Sequence, residues 1–484
     1  MSIAMKNKVI RPGQLLAIAS LLLFCGMWAI WFFCYRYFLI WLEGFSFFST
    51  LPDFSSLYRN IPEGFPAYIG AFLHQFYKFP ALGAAIQSFF AVWPVVCAGI
   101  VIIRLFKEPS RLLWMAFLPL PVFIYVQFWD ILLHRAVIWL VVSGVIMLIV
   151  LIVTMFRKPE WSIPGLFRMK WLNPAFMLAS VAVSVFFLVG LDPRNREQEE
   201  LAHLEYLGEN REWGEILKEV SVKEAWENEM KRRYAILALS ETGQLTEYAF
   251  VYGLKGSDGF IFYDNINPLC LNYNALFYQC LDMPNAVIHQ AYQQGVQSVP
   301  GIGFSVLRRL ADTYLSLKDY TLAKKYIEIL SHSTCHGRWV KERLPRLEAI
   351  RQAEPVYAHD EYKATISNFT HTISSMVDRN PENRKYADLL LCSLLADEEG
   401  DKFDKLFRYV AQWQYPNGTA LPRLYEEALI LIAMVDPSVM EGFTVSEETQ
   451  QRFADYVSLM NAGKATLALR KYADTYWAYS YKAN

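Results

Sequence analysis

Residues 136–156 read AVIWLVVSGVIMLIVLIVTMF, an apolar run without a single charged side chain. A bilayer core of about 30 Å is crossed by ~20 helical residues, because only a helix or a closed barrel satisfies the backbone where water is absent. The run is therefore read as a membrane span. Working outward from it, residues 15–40, 81–103, 112–128 and 174–191 form four more such runs. The run at 112–128 is short and carries Pro119 and Pro121, which break or tilt it. The run at 174–191 opens on Asn173-Pro174, an N-cap followed by proline in the first turn. Five spans, within one, are expected.

The charge is divided as unevenly as the hydropathy. Residues 1–191 carry 14 Lys/Arg against 6 Asp/Glu, whereas residues 192–484 carry 32 against 41. With 54% hydrophobic and 19% charged residues, the chain is too greasy for one soluble enzyme domain. The acidic second half also speaks against nucleic acid as a partner, since it repels the phosphate backbone. Placing the N-terminus inside puts Lys6, Lys8, Arg11, Arg104, Lys107, Arg111, Arg157, Lys158, Arg168 and Lys170 in the cytoplasm. The outer loops then keep Arg59, Lys78 and Arg135, with Arg36 near the outer end of the first span. The first span is too long, and ends too bulkily, for a cleaved signal peptide. Two domains are expected: a multi-span membrane domain at 1–191 and an extracytoplasmic helical domain at 192–484.

The second half has helical periodicity. In 307–330, LRRLADTYLSLKDYTLAKKYIEIL, the residues Leu307, Leu310, Ala311 and Tyr314 share one helix face. Tyr320, Ala323, Ile327 and Leu330 share the next, after a turn at Leu317-Lys318-Asp319. The spacing resembles the tetratricopeptide repeat, with Cys335 where that repeat ends on proline. Weaker helix–turn–helix echoes lie at 234–250, 271–292 and 385–413, with a further striped helix at 421–435. The stretch 249–264 reads as a short hairpin or a loop, and Tyr472, Tyr476 and Tyr479 as a stripe sealing the helical stack. The fold class is all-α, a five-span bundle followed by a tetratricopeptide-like domain.

The layout also resembles an uncharacterised family of polytopic membrane proteins from Bacteroidota-type bacteria, in which a few spans precede a tetratricopeptide-like outer domain. The residues that suggest it are PEGFPAYIGAFLHQFYKFPALGAAI at 62–86, LPRLYEEALIL at 421–431 and ADTYWAYSY at 473–481. That resemblance implies an architecture and a place in a bacterial cytoplasmic membrane, and brings no activity.

Two functions are carried forward. In the favoured one, the outer domain binds a protein or peptide in a repeat groove. By resemblance to the repeat, the lining positions are Ser305, Arg308, Asp312, Leu315 and Ser316. In the alternative, acids of the first outer loop, Glu43, Asp53 and Glu63, serve a polyprenyl-phosphate-sugar-dependent glycosyltransferase or an inactive relative, as a general base or a metal ligand. Such enzymes usually have more spans, and this loop has no paired acids. His332, Cys335 and His336 have helical spacing suited to zinc but show no fourth ligand. Their other reading is a turn between repeats. Val299-Pro300-Gly301-Ile302-Gly303 lacks the third glycine and the strand of a dinucleotide fingerprint and reads as a turn. Asp130, His134 and Arg135 fall in a short turn near membrane depth and read as groups reaching the headgroups. Cys270 and Cys280 could form a disulfide in an oxidising compartment. No cofactor is expected. The partners expected are the lipid bilayer and another protein.

Overall fold

The computed structural model describes residues 11–130, 132–157, 161–162, 172–190, 193–263, 267–297, 302–356, 368–416 and 419–483. Among them every regular element is helical, and an isolated bridge joins Phe106 to Trp161. Lys6, Lys8, Lys158, Arg168, Lys170, Val299, Pro300 and Gly301 lie outside the described residues. The chain forms two compact units. One comprises residues 1–203, 298–311 and 320–351, the other 204–297, 312–319 and 352–484. The division therefore does not fall simply at 191–192, because segments beyond residue 297 return to the N-terminal unit.

In that unit, α1 (Pro12–Cys34), α5 (Pro80–Leu105) and α7 (His134–Phe156) are long and apolar enough to cross a membrane, with mean hydropathies of 2.2, 2.2 and 3.1. Helix α5 begins with proline at its first position and packs against both of the others. The Trp28 indole N–H donates to Ala81 O at 2.9 Å, and that of Trp93 to Leu140 O at 3.1 Å. Trp31, Phe38, Phe117, Leu120 and Phe128 fill the core between them. The most apolar window, in α7, is only 11% buried, and Val141, Val145, Leu148, Ile149 and Ile152 are exposed along it.

Two of the expected spans are altered. The first run is cut at Tyr35, where the backbone leaves the helical region, and resumes as α2 (Arg36–Phe45). The Glu199 carboxylate makes the cut tolerable by accepting from Tyr37 N at 3.0 Å and Phe38 N at 2.7 Å, two donors that a helix start leaves open. The run at 112–128 becomes a 3-10 segment, Leu113–Phe117, then α6 (Leu120–Phe128), with Pro119 at its cap and Pro121 in its first turn. Between these lie α3 (Ser56–Arg59) and α4 (Gly64–His74). The last apolar run is α8 (Leu172–Val185), continued by a π-helical turn at Phe186–Gly190 and followed by α9 (Pro193–Glu209).

The expected hairpin at 307–330 is present as helices Phe304–Ser316 and Tyr320–Ser331, joined through Lys318 at φ 57°. Leu307, Leu310, Ala311, Tyr314, Ala323, Ile327 and Leu330 of the expected stripe are buried, whereas Tyr320 is half-buried. A third helix, Gly337–Ala349, packs on the second.

The other unit repeats the helix–turn–helix plan at Pro268–Cys280 with Pro284–Gln297, and at Arg384–Ala396 with Gly400–Gln414. Its helix starts are chemically marked: Ser221 and Glu224 form a capping box, and Asn267, Asn383 and Ser446 accept from backbone N–H groups. Residues 249–263 form a turn-rich loop rather than a hairpin. Arg233 holds it, donating to Asp258 O and Ile261 O and lying over the Phe262 ring. Tyr476 and Tyr479 begin the last helix and donate to Leu395 O and Ala396 O, while Tyr472 lies before it. Cys270 and Cys280 occupy opposite ends of one helix and are free thiols. Ten positions at ~1.5 Å each put them beyond disulfide reach.

Candidate functional site

The segment 43–78, between the first and second long apolar helices, holds most of the unusual chemistry. Residue by residue it turns from α2 into an extended stretch. A 3-10 turn at Pro52–Ser55, α3, α4 and a second 3-10 turn at Gln75–Lys78 follow. Gly64 permits the reversal between α3 and α4: a Cβ there would lie 1.7 Å from Tyr58 O. Phe48, Phe54, Tyr58 and Tyr68 pack in edge-to-face and tilted pairs and fix the loop's shape.

This packing leaves a cavity of about 590 Å³. Its walls are mostly apolar, including Phe45, Phe47, Phe54, Leu57, Ala67 and Ala71. Ile302, Leu307 and Ile329, from the returning helical segment, complete it. Leu51, Pro52, Asp53 and Leu57 are exposed, so one side is reachable from outside the protein. Three ionisable residues line the space, Asp53, Tyr58 and His74. His74 is fully buried, and neither ring nitrogen has a protein partner. Burial pushes its pKa down to about 3, so the imidazole is neutral at ordinary pH.

Two carboxylate–histidine clusters flank the cavity. In the first, Glu43 Oε1 lies 2.5 Å from His336 Nε2, both side chains being buried. His336 Nδ1 pairs with Ser333 Oγ at 2.7 Å, and the Phe304 ring stacks on the imidazole at 3.6 Å. The surrounding backbone is laced to the same turn. Thr50 N donates to His332 O at 2.9 Å, Lys78 Nζ to Cys335 O at 3.1 Å and Phe304 N to Ser46 O at 3.1 Å. Gly303, read from sequence as part of a turn, makes this approach feasible, since a Cβ there would meet Gly44 O at 2.6 Å and Phe45 O at 2.7 Å.

In the second cluster, His134 Nε2 lies 2.9 Å from Glu63 Oε2. Its Nδ1 lies 2.8 Å from Asp130 Oδ1, an ion-pair approach outside hydrogen-bond geometry. Asp130 Oδ2 accepts from Ala136 N at 2.9 Å and so caps the start of α7. Burial holds the Asp130 carboxyl above its usual range. Asp130 is therefore packed into protein, not extended among headgroups.

The acids expected to act together thus serve three places. Glu43 joins His336, Asp53 faces the cavity and Glu63 joins His134. The proposed zinc cluster is not assembled: both ring nitrogens of His336 are engaged, and burial raises the Cys335 thiol pKa, which disfavours the thiolate a metal needs. Among the described residues no group of three or more His, Cys, Asp and Glu side chains is placed to hold a metal. Of the positions expected to line a groove, Ser305 donates to Gly44 O at 2.9 Å and Leu315 is buried. Arg308 and Asp312 are half-buried, and Ser316 is exposed. Sequence reasoning missed His74 and Glu199, because both are defined by packing that no local pattern announces.

A model of a family of unknown function (DUF6057) matches residues 13–191 and 125–483. No curated protein and no solved structure matches the chain. The match reaches across nearly all of the sequence, and the chain belongs to that family.

Proposed function

We propose that this is a multi-pass protein of a bacterial cytoplasmic membrane that receives the apolar part of an amphipathic ligand in the cavity of residues 45–74. The N-terminus is inside, the five apolar runs form the membrane part, and the cavity and the C-terminal helices lie outside. The lipid environment is supported by α7, a strongly apolar helix with a row of exposed apolar side chains. The orientation rests on the basic residues of the short loops.

The observation that carries the ligand reading is the cavity itself: about 590 Å³, largely apolar, with a carboxylate and an unpartnered imidazole in its wall. Glycosyl transfer from a polyprenyl phosphate remains as the alternative, resting on Asp53. The lining has no lysine or arginine to match a phosphate, which favours binding of a non-anionic molecule over that chemistry. The test is organic extraction of the full chain purified from its own membranes. An amphipathic molecule should be recovered with the wild type and depleted with Ala71→Trp, which obstructs the cavity. Equal recovery from both would contradict the reading.

A second reading, protein docking on a tetratricopeptide-like pair, is favoured by the helix–turn–helix at 304–331 with its buried stripe. Charge reversal at Arg308 and Asp312 should then abolish capture of the partner without lowering the unfolding temperature. Unaltered capture would refute it.

A further inference from the structure

We propose that the cavity selects an amphipath whose head is a positively charged nitrogen, of the long-chain amine class, and that Asp53 and the aromatic rings beside it set this preference. The inference rests on the cavity being the ligand site proposed above.

Asp53 is exposed at the open side of the cavity, and its carboxylate makes no ion pair or hydrogen bond among the described residues. Burial keeps the His74 imidazole neutral and raises the Tyr58 phenol, so neither adds a charge near neutral pH. Arg59 and Lys78, basic residues of the same loop, do not line the space. An anionic head would meet a carboxylate and no cation. A primary amine, protonated at neutral pH as lysine is, would meet its opposite charge without a competitor.

The rings reinforce that sign. Asp53 precedes Phe54 in the 3-10 turn at Pro52–Ser55. The Phe54 ring lies 6.0 Å from that of Phe47 and 5.4 Å from that of Tyr58, centre to centre. All three line the cavity, with Phe45 as a fourth. The negative face of an aromatic ring attracts a cation and offers nothing comparable to a neutral or anionic head. The apolar remainder, with Leu132, Ile302, Leu307 and Ile329 among its walls, receives the chain.

Hydroxyls in the lining add affinity without choosing a sign. Those of Ser46 and Tyr58 have no hydrogen-bond partner among the described residues, whereas Ser49 Oγ accepts from Leu51 N at 3.2 Å and Ser56 Oγ donates to Asp53 O at 2.6 Å. A free hydroxyl both donates and accepts, so it serves an ammonium, an alcohol or a phosphate alike. The His74 nitrogens are sealed from the cavity as from bulk water, and that ring is wall only.

The test uses the full chain in maltoside micelles, whose heads are uncharged, with a diazirine-bearing tetradecylamine and crosslinks located by mass spectrometry. Unlabelled tetradecylamine, tetradecanol and tetradecyl phosphate compete at equal micelle-bound amounts. Crosslinks should fall within residues 45–74. The amine should compete about ten-fold better than the alcohol, roughly three-fold from the carboxylate and three-fold from the rings, and the phosphate should compete worst. Asp53→Asn keeps the size and removes the charge, and should cut the advantage to about three-fold. Asp53→Lys should make the phosphate the best competitor. Ser46→Ala combined with Tyr58→Phe should weaken amine and alcohol together and keep their ratio. The alcohol or phosphate matching the amine in the wild type, an advantage untouched by Asp53→Asn, or a ratio lost with the two hydroxyls would overturn the selection while leaving the cavity as a ligand site. Absence of crosslinks in 45–74 from every protein would remove the ligand site and the selection together.

Discussion

Glu43 and His336 stand 293 positions apart and meet at a buried hydrogen bond. Removing one partner strands the other in a low-dielectric interior, a loss of about 3–5 kcal/mol. Glu43→Ala and His336→Ala should each lower the unfolding temperature in detergent. The double variant should cost clearly less than the sum of the two, because it strands nothing. Additive losses would show that the pair is not coupled. Gly303→Ala should destabilise by about 2 kcal/mol, since the new methyl would collide with backbone that cannot rotate away. An unchanged unfolding temperature would contradict that close approach. Both residues of the pair stood out in the sequence, but as members of different sites. Glu43 was grouped with the loop acids and His336 with a Cys/His cluster. Their pairing depends on a long return of the chain, which periodicity does not encode. His74 is a plainer case: its significance lies wholly in having no partner.

At the scale of elements, the three long apolar helices were legible because length and unbroken apolar composition are written locally. The cut at Tyr35 was not, because it depends on Glu199 from α9 replacing the missing donor contacts. Burial raises the Glu199 carboxyl to about 7. The folded state therefore holds a proton that the unfolded chain releases above its ordinary pKa of 4.5. Its contribution to stability is greatest on the acid side and is lost as pH rises through the interval up to about 7. Glu199→Gln should flatten this part of the pH dependence of the unfolding temperature; an identical profile would show that Glu199 is not its source. In α7, Ile146→Arg places a charge on an exposed apolar face. In lipid this costs about 2.5–3.5 kcal/mol and should reduce the membrane-inserted fraction. Undiminished insertion would argue that this face does not meet lipid. The helix–turn–helix at 304–331 was readable from its stripe, whereas the assignment of part of it to the N-terminal unit was not.

For the whole molecule, charge and hydropathy change character at 191–192, whereas the two compact units have other bounds. The difference arises because hydropathy records which solvent a segment prefers, and says nothing of which neighbour it returns to. The proposed topology predicts that a phosphatase fused after Asn484 is active outside the cytoplasm and that a green fluorescent protein fused there stays dark. The reverse pattern would place the second unit inside. Above this stands the claim that the cavity of residues 45–74 holds a ligand. Electron cryomicroscopy of the full chain in nanodiscs of its own membrane lipids tests that claim most directly. The account predicts continuous non-protein density running along Phe47 and Phe54. A cavity collapsed onto its own side chains, or one holding water alone, would contradict it.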